Sequence, residues 1–367
     1  MSLTALESLH RLTVLESPTG DPRALGALAE VLEADAHRAG FTVTREPHPT
    51  GDHLLWNRPG SGPPILLLTH YDTVWPVGTL ATMPWSAEDD VIRGPGVYDT
   101  KAGIVALLAA VAALPATGCP EIRVVVVADE EIGSPTAVDL VRSEARRARA
   151  VLGLEPPHPG GDLKTGRRGS TRARIEVTGV EAHAALDPDA GVNAIDELVD
   201  QLVRFRTEVA GRPVLLNTGT IGGGGRTNVV AGRAHADLGL RFGTPGDEEA
   251  VLGTLRALRP VRAGARVTTR LLSHRPAWQP SAATAGLLDR IRAVASGIGQ
   301  ELGGLPADGA ADTNTTGALG VATVDGLAPR GGGAHARTEW VSSAGVAERI
   351  ALLTALLGPD GLAGGQV

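Results

Sequence analysis

Short apolar runs alternate with amphipathic stretches through the first 155 residues. Residues 5–15 and 23–39 carry apolar side chains at helical spacing and predict two helices, the second stopped at Gly40. ILLL at 65–68, the β-branched IRVVVV at 122–127 and AVLGL at 150–154 predict buried strands. Between them, KAGIVALLAAVAAL at 101–114 is apolar all round and reads as a deeply packed helix. Residues 134–149 read as a helix with a basic outer face. Alternation of this kind builds a mostly parallel α/β sheet.

The period changes near Lys164. TRARIEVT at 171–178 alternates polar with apolar, as do 214–221 and 234–242. Residues 191–206 set Val192, Ile195, Val199, Leu202 and Phe205 on one helical face. A helix over 247–258 and a strand over 265–272 complete a β-α-β-β-α-β order, a split βαβ unit. RPAWQP at 275–280 reads as a return linker, after which a helix at 284–295, a strand at 321–324 and a helix at 344–357 resume the first pattern. The expectation is an α/β domain of 1–166 and 276–367 with a mostly parallel central sheet, interrupted by an α+β, ferredoxin-like insert over 167–275.

A length of 367 residues suits two domains. The net charge of -7, with no basic run, argues against nucleic-acid or anionic-membrane partners. No apolar stretch is long enough for a transmembrane helix. The first residues, MSLTALESLHRL, lack the pattern of a signal peptide, so a cytoplasmic address is expected. Cys119 is the one cysteine, which excludes an intrachain disulfide and leaves any metal site to histidine and carboxylate.

Three predicted strands run into such groups: ILLLT into His70, VVVVAD into Glu130 and Glu131, and VLGL into Glu155. Sites in open α/β sheets form beyond the carboxyl ends of the strands, so these side chains converge on one rim. VATVDGLAPRGGGAH brings His335 after a strand and a glycine-rich turn. Asp99, in GPGVYDTKAG, opens directly into the apolar helix; it is placed either to bridge metals or to cap that helix. Imidazoles and carboxylates so crowded repel or protonate unless a cation sits among them. A thiolate-free donor set suits zinc, with cobalt or manganese as substitutes. Two metals about 3.5–4 Å apart activate water and polarise a carbonyl. A free carboxylate must then carry the water proton to the leaving group. Because Glu130 and Glu131 are adjacent, one can ligate while the other stays free. Asp72 is placed to orient the His70 imidazole.

THYDTV at 69–74, GPGVYDTKAG, ADEEIGS at 128–134, GLEP at 153–156 and GGGAHARTEW at 331–340 resemble, in order, the metal motifs of the zinc aminoacylase/carboxypeptidase family. That family includes acetylornithine deacetylase, succinyl-diaminopimelate desuccinylase and glutamate carboxypeptidases. The resemblance spans nearly the whole chain, and HYDTVWPVGTL is most similar to the glutamate carboxypeptidase branch. It implies a zinc-exopeptidase-type catalytic domain with a lid and dimerisation domain as the insert, and a homodimer. It further implies two zinc ions bridged by Asp99, one held by His70 and Glu155 and the other by Glu131 and His335. Glu130 would be the general base and acid, Asp72 the support of His70, and the Asp99–Thr100 bond cis. In the insert, His183 corresponds to the family histidine that stabilises the oxyanion. Asn228, in TIGGGGRTNVV, and Arg241, in DLGLRF, correspond to substrate-contacting residues, Arg241 on the substrate carboxylate. The implied activity is cleavage of an amide next to a free carboxylate, with a C-terminal amino acid or N-acyl amino acid as substrate. The alternatives are a deacylase, desuccinylase or dipeptidase of amino-acid metabolism, or a metal-binding paralogue without activity.

Two departures stand out. LysAlaGly at 101–103 replaces a more glycine-rich turn. DTNTTG at 312–317 matches the family's corresponding segment only loosely and receives no role from sequence.

Overall fold

The computed structural model describes residues 3–362. The chain divides into two units, Met1–Arg167 with Gln279–Val367, and Arg168–Trp278.

In the first unit a six-stranded sheet has the order Thr42–Glu46, His53–Arg58, Pro120–Val127, Ser61–His70, Ala150–Gly153 and Thr323–Val324. The last four are parallel to one another, whereas the first two join antiparallel. The β-branched run of Pro120–Val127 and the leucines of Ser61–His70 are buried on both sheet faces, as a covered parallel sheet requires. The Ala102–Ala112 helix is almost wholly buried and packs against the C-terminal helix Ser343–Leu357. Parallel strands of one sheet share a direction, so His70, Val127, Gly153 and Val324 all end at one edge.

The second unit is a four-stranded antiparallel sheet ordered Val214–Gly223, Arg233–Phe242, Gly169–Thr178, Arg266–Arg275. Helices Ala194–Glu208 and Pro245–Arg256 cover one face over Ala173, Ile175, Ala236, Leu238 and Leu240. The other face carries mostly polar residues, among them Arg172, Arg174, Glu176, His235 and Asp237.

The helix expected over 134–149 is shorter, Val138–Ala145. Ser134 takes a left-handed backbone (φ 50°), and the Asp129 carboxylate accepts from both the amide and the hydroxyl of Thr136, so a side-chain-held turn replaces the first helical residues. Residues 331–332 and 340–342, with 86–88 and 91–93, form a small antiparallel sheet that sequence periodicity missed, its strands being only two or three residues long.

Candidate metal centre

The strand edge collects the donors. His70 is the last residue of its strand. Glu130 and Glu131 form a single turn just past Val127, and Glu155 follows Gly153 by two residues. Asp99 lies before the Ala102–Ala112 helix, whose N-terminus has no side-chain cap, so the capping reading of Asp99 does not hold. The Asp99–Thr100 peptide bond is cis.

Asp99 faces two separate pairs. Its Oδ1 is 3.1 Å from His70 Nε2, which is itself 3.7 Å from Glu155 Oε1. Its Oδ2 is 3.4 Å from His335 Nε2, which is 3.0 Å from Glu131 Oε2. Zinc bonded at roughly 2.0–2.1 Å in tetrahedral geometry separates its donors by about 3.3 Å. These spacings fit donors arranged around cations, and His70, Asp99 and Glu131 alone bring ligand atoms within 4.8 Å of one another.

Electrostatics points the same way. Burial pushes the His70 imidazole down, but hydrogen bonds to Asp72 and Asp99 outweigh it and hold it well above its ordinary value. His335 is raised to about 10 by hydrogen bonds to Asp99 and Glu131. Burial pushes Glu155 up to about 7, with the charge of Asp99 adding to it. Asp99 is driven down despite burial, because both histidines hydrogen-bond it. The donor set thus retains protons in place of positive charge, as a cation site does when protons substitute for metal.

Asp72, with no exposed surface, ties the site together. Its Oδ1 lies 3.3 Å from His70 Nδ1, whose ring also contacts the Asp72 carbonyl at 2.9 Å. That leaves Nε2 facing the Asp99 and Glu155 carboxylates. The same carboxylate accepts from the amides of Glu130 (3.1 Å) and Glu131 (3.2 Å) and from Thr19 Oγ1 (2.7 Å). One buried acid therefore orients both the imidazole and the glutamate turn.

Two further buried acids escaped the sequence reading. Asp325 follows the fourth parallel strand. It accepts from the Glu155 amide and from Thr313, and pairs with Arg167 at 2.8 Å. Gly153 is required beside it, since a Cβ there would lie 2.2 Å from Asp325 Oδ1. Thr313 belongs to DTNTTG, and Asp312 of that segment hydrogen-bonds Ser134, so the loosely matching stretch buttresses the site. The second acid, Glu339, accepts backbone amides of the Asp99 loop and the Trp75 indole. Its position inside GGGAHARTEW, four residues after His335, was the available signal.

In the second unit, His183 and Asn228 come from segments that meet: His183 bridges Val229, and the Ala184 amide donates to the Asn228 carbonyl. His183 Nδ1 accepts from the amides of Ala185 and Leu186, so the proton sits on Nε2 of an exposed ring. Arg241 and Arg275 flank Ser170 in one cross-strand row, and Arg241 donates to the Ser170 hydroxyl. Burial lowers the Arg241 guanidinium, and the charge of Arg275 adds to the effect. Arg275 was not singled out from sequence; its place in RPAWQP read as linker rather than strand.

The model of peptidase family M20/M25/M40 matches residues 66–358, a span holding all five donors in order. The chain belongs to this family. It is a hydrolytic metallopeptidase. Carboxypeptidase G2 of Pseudomonas sp. (strain RS-16) is 29% identical over 365 residues, covering 96% of this chain and 88% of the relative. Succinyl-diaminopimelate desuccinylase of Maricaulis maris (strain MCS10) is 30% identical over 264 residues, 66% of this chain and 67% of the relative. The crystal structure of an M20 family metallo-carboxypeptidase from Sulfolobus solfataricus shares the fold with a TM-score of 0.74 at 16% identity, covering 97% of this chain and 99% of that one. Among the described residues no helix of this M20 chain is long and apolar enough to cross a membrane.

Proposed function

We propose that this M20 chain is a co-catalytic two-zinc hydrolase that cleaves an amide beside a free carboxylate, with a C-terminal or N-acylated amino acid as substrate. The observation that carries the reading is the Asp99 carboxylate, each oxygen facing its own histidine–glutamate pair. In this reading His70 and Glu155 would hold one zinc and Glu131 and His335 the other, with Asp99 shared between the two pairs; cobalt or manganese could substitute. Zinc there supplies Lewis acidity toward the amide carbonyl and acidifies water. Glu130, buried on the turn beside ligand Glu131, takes the proton of the attacking water and delivers it to the leaving nitrogen. Asp72 holds Glu130 and His70 in register for this transfer.

The second unit serves as lid and substrate clamp. His183 presents an Nε2–H suited to a developing oxyanion. Arg241 and Arg275, two guanidiniums in one row, suit a substrate carboxylate, and Asn228 contributes a further polar contact. An acyl-glutamate or small peptide is the first substrate class, supported by the carboxypeptidase G2 relative. Deacylation or desuccinylation is the second, supported by the desuccinylase relative. Turnover by the purified zinc-loaded enzyme of a panel of C-terminal glutamate peptides and N-acyl amino acids tests the reading. Preference for the glutamate compounds is expected, and absence of any metal-dependent amide cleavage would refute it.

A homodimer through the second unit belongs to the same proposal. Ile195, Val199 and Val203 expose 36%, 46% and 60% of their surface along one helix face. The edge strand Val214–Gly223, paired on one side only, exposes Leu215 and Ile221.

A further inference from the structure

We infer that Glu339 is a positioning residue for the metal centre, a carboxylate staple that sets the distance between the Asp99 loop and His335. The inference rests on the proposed metal site. Glu339 is 1% exposed and has four N–H donors around it, two on each oxygen. Oε1 accepts from the amides of Tyr98 (2.9 Å) and Asp99 (3.1 Å), and Oε2 from the Gly96 amide (3.0 Å) and Trp75 Nε1 (2.8 Å).

These donors match an ionised carboxylate, which is acceptor-only and takes up to about four hydrogen bonds. They do not match an amide, whose NH2 group would point at backbone N–H groups. Three donors belong to the loop that carries Asp99 and the fourth to the loop after His70. Glu339 itself closes the turn that follows His335, its amide donating to the Ala336 carbonyl at 2.9 Å, directly after the turn bearing His335, in which the Ala336 amide donates to the Gly333 carbonyl. That turn is narrow: a Cβ on Gly333 would lie 2.9 Å from the Thr338 and Glu339 backbone. His335 and Asp99 stand on separate segments, and the staple is a direct polar tie between them. A metal needs those two donors held apart at one value, and a backbone held by charge-assisted bonds supplies it before the ion arrives.

The test is zinc affinity of the apo chain, measured by competition with a chromogenic chelator at a temperature where circular dichroism shows wild type and variant both folded. The Co2+ visible spectrum serves as a second readout. Glu339→Gln is expected to weaken zinc about 10- to 100-fold, the usual cost of removing a group that orients ligands, and to alter the cobalt bands. A folded Glu339→Gln chain that binds zinc as tightly as wild type, with unchanged cobalt bands, overturns the inference whatever its Tm. If Glu339→Gln does not fold, Trp75→Phe removes one donor from Oε2 and leaves the loop amides. A several-fold loss of zinc affinity is then expected, and none overturns the staple. A wild-type chain that binds no zinc instead overturns the metal reading itself.

Discussion

The metal rim of the first unit and the polar sheet face of the second are organised in opposite ways. On the rim four of the five donors stand on backbone or rings held by another buried acid: Asp72 orients His70 and the turn of Glu131, Asp325 the Glu155 backbone, and Glu339 the Asp99 loop, whereas His335 is half-exposed. In the second unit His183 and Asn228 are exposed, and Arg241 leans on one serine hydroxyl. Groups that bind an ion and move protons need fixed positions before the substrate comes, because sub-ångström errors there are costly. In the proposed reading, groups that grip a substrate can remain solvated until its carboxylate arrives. The difference shows where precision is built in and where it waits for a ligand.

The largest expected effect breaks the comparison at the rim. Glu130→Gln should lower kcat by about 10²–10⁴-fold, the range of general acid–base catalysis, while bound zinc, read by atomic emission, stays at the wild-type level. A variant with near-normal turnover would remove Glu130 from its role. Zinc affinity should depend on pH. The metal-free His335 and Glu155 hold their protons below about 10 and about 7 respectively. A metal must displace those protons, so affinity falls as pH falls, by roughly tenfold per unit for each proton displaced. Below about 7 the fall steepens as Glu155 joins. Chelator competition at several pH values checks this, and a flat profile would contradict it.

The second unit should respond through binding rather than turnover. Arg241→Ala is expected to raise KM about tenfold or more with little change in kcat, the loss of charge-assisted hydrogen bonds worth about 1.5–3 kcal/mol. An unchanged KM would sink the carboxylate clamp. The smallest effect on chemistry is expected from Val199→Asp on the exposed helix face. It should shift light scattering from dimer toward monomer, and a wild-type chain already monomeric would end the dimer proposal.

How much of this was legible in the sequence varied with the physics of each feature. The parallel strands read plainly, because ILLL and IRVVVV are apolar on both faces and only a covered sheet accommodates that. The ligand-type residues at their ends read plainly too, since a shared strand direction puts them on one edge. Asp99 was ambiguous, as an acid before a helix can also be its cap; the helix, starting without a side-chain cap, removes that second reading. Asp325 and Glu339 were not singled out from sequence, although Glu339 lies inside GGGAHARTEW. Their partners are main-chain amides and side chains far away in sequence, such as Arg167, 158 residues before Asp325. Arg275 was misplaced for a related reason: a proline-rich stretch hid the last residue of a strand.

The sequence by itself determined the alternation that builds a parallel sheet, the inserted antiparallel unit, and the residue types available to hold a cation. Those follow from local periodicity and from residue chemistry, which act over a few positions. Only the tertiary structure decided that the two oxygens of Asp99 look toward different histidines, and that three buried carboxylates hold the backbone of the candidate donors from behind. Such relations join segments far apart along the chain, and pattern at short range carries no record of which distant amide a buried oxygen will meet.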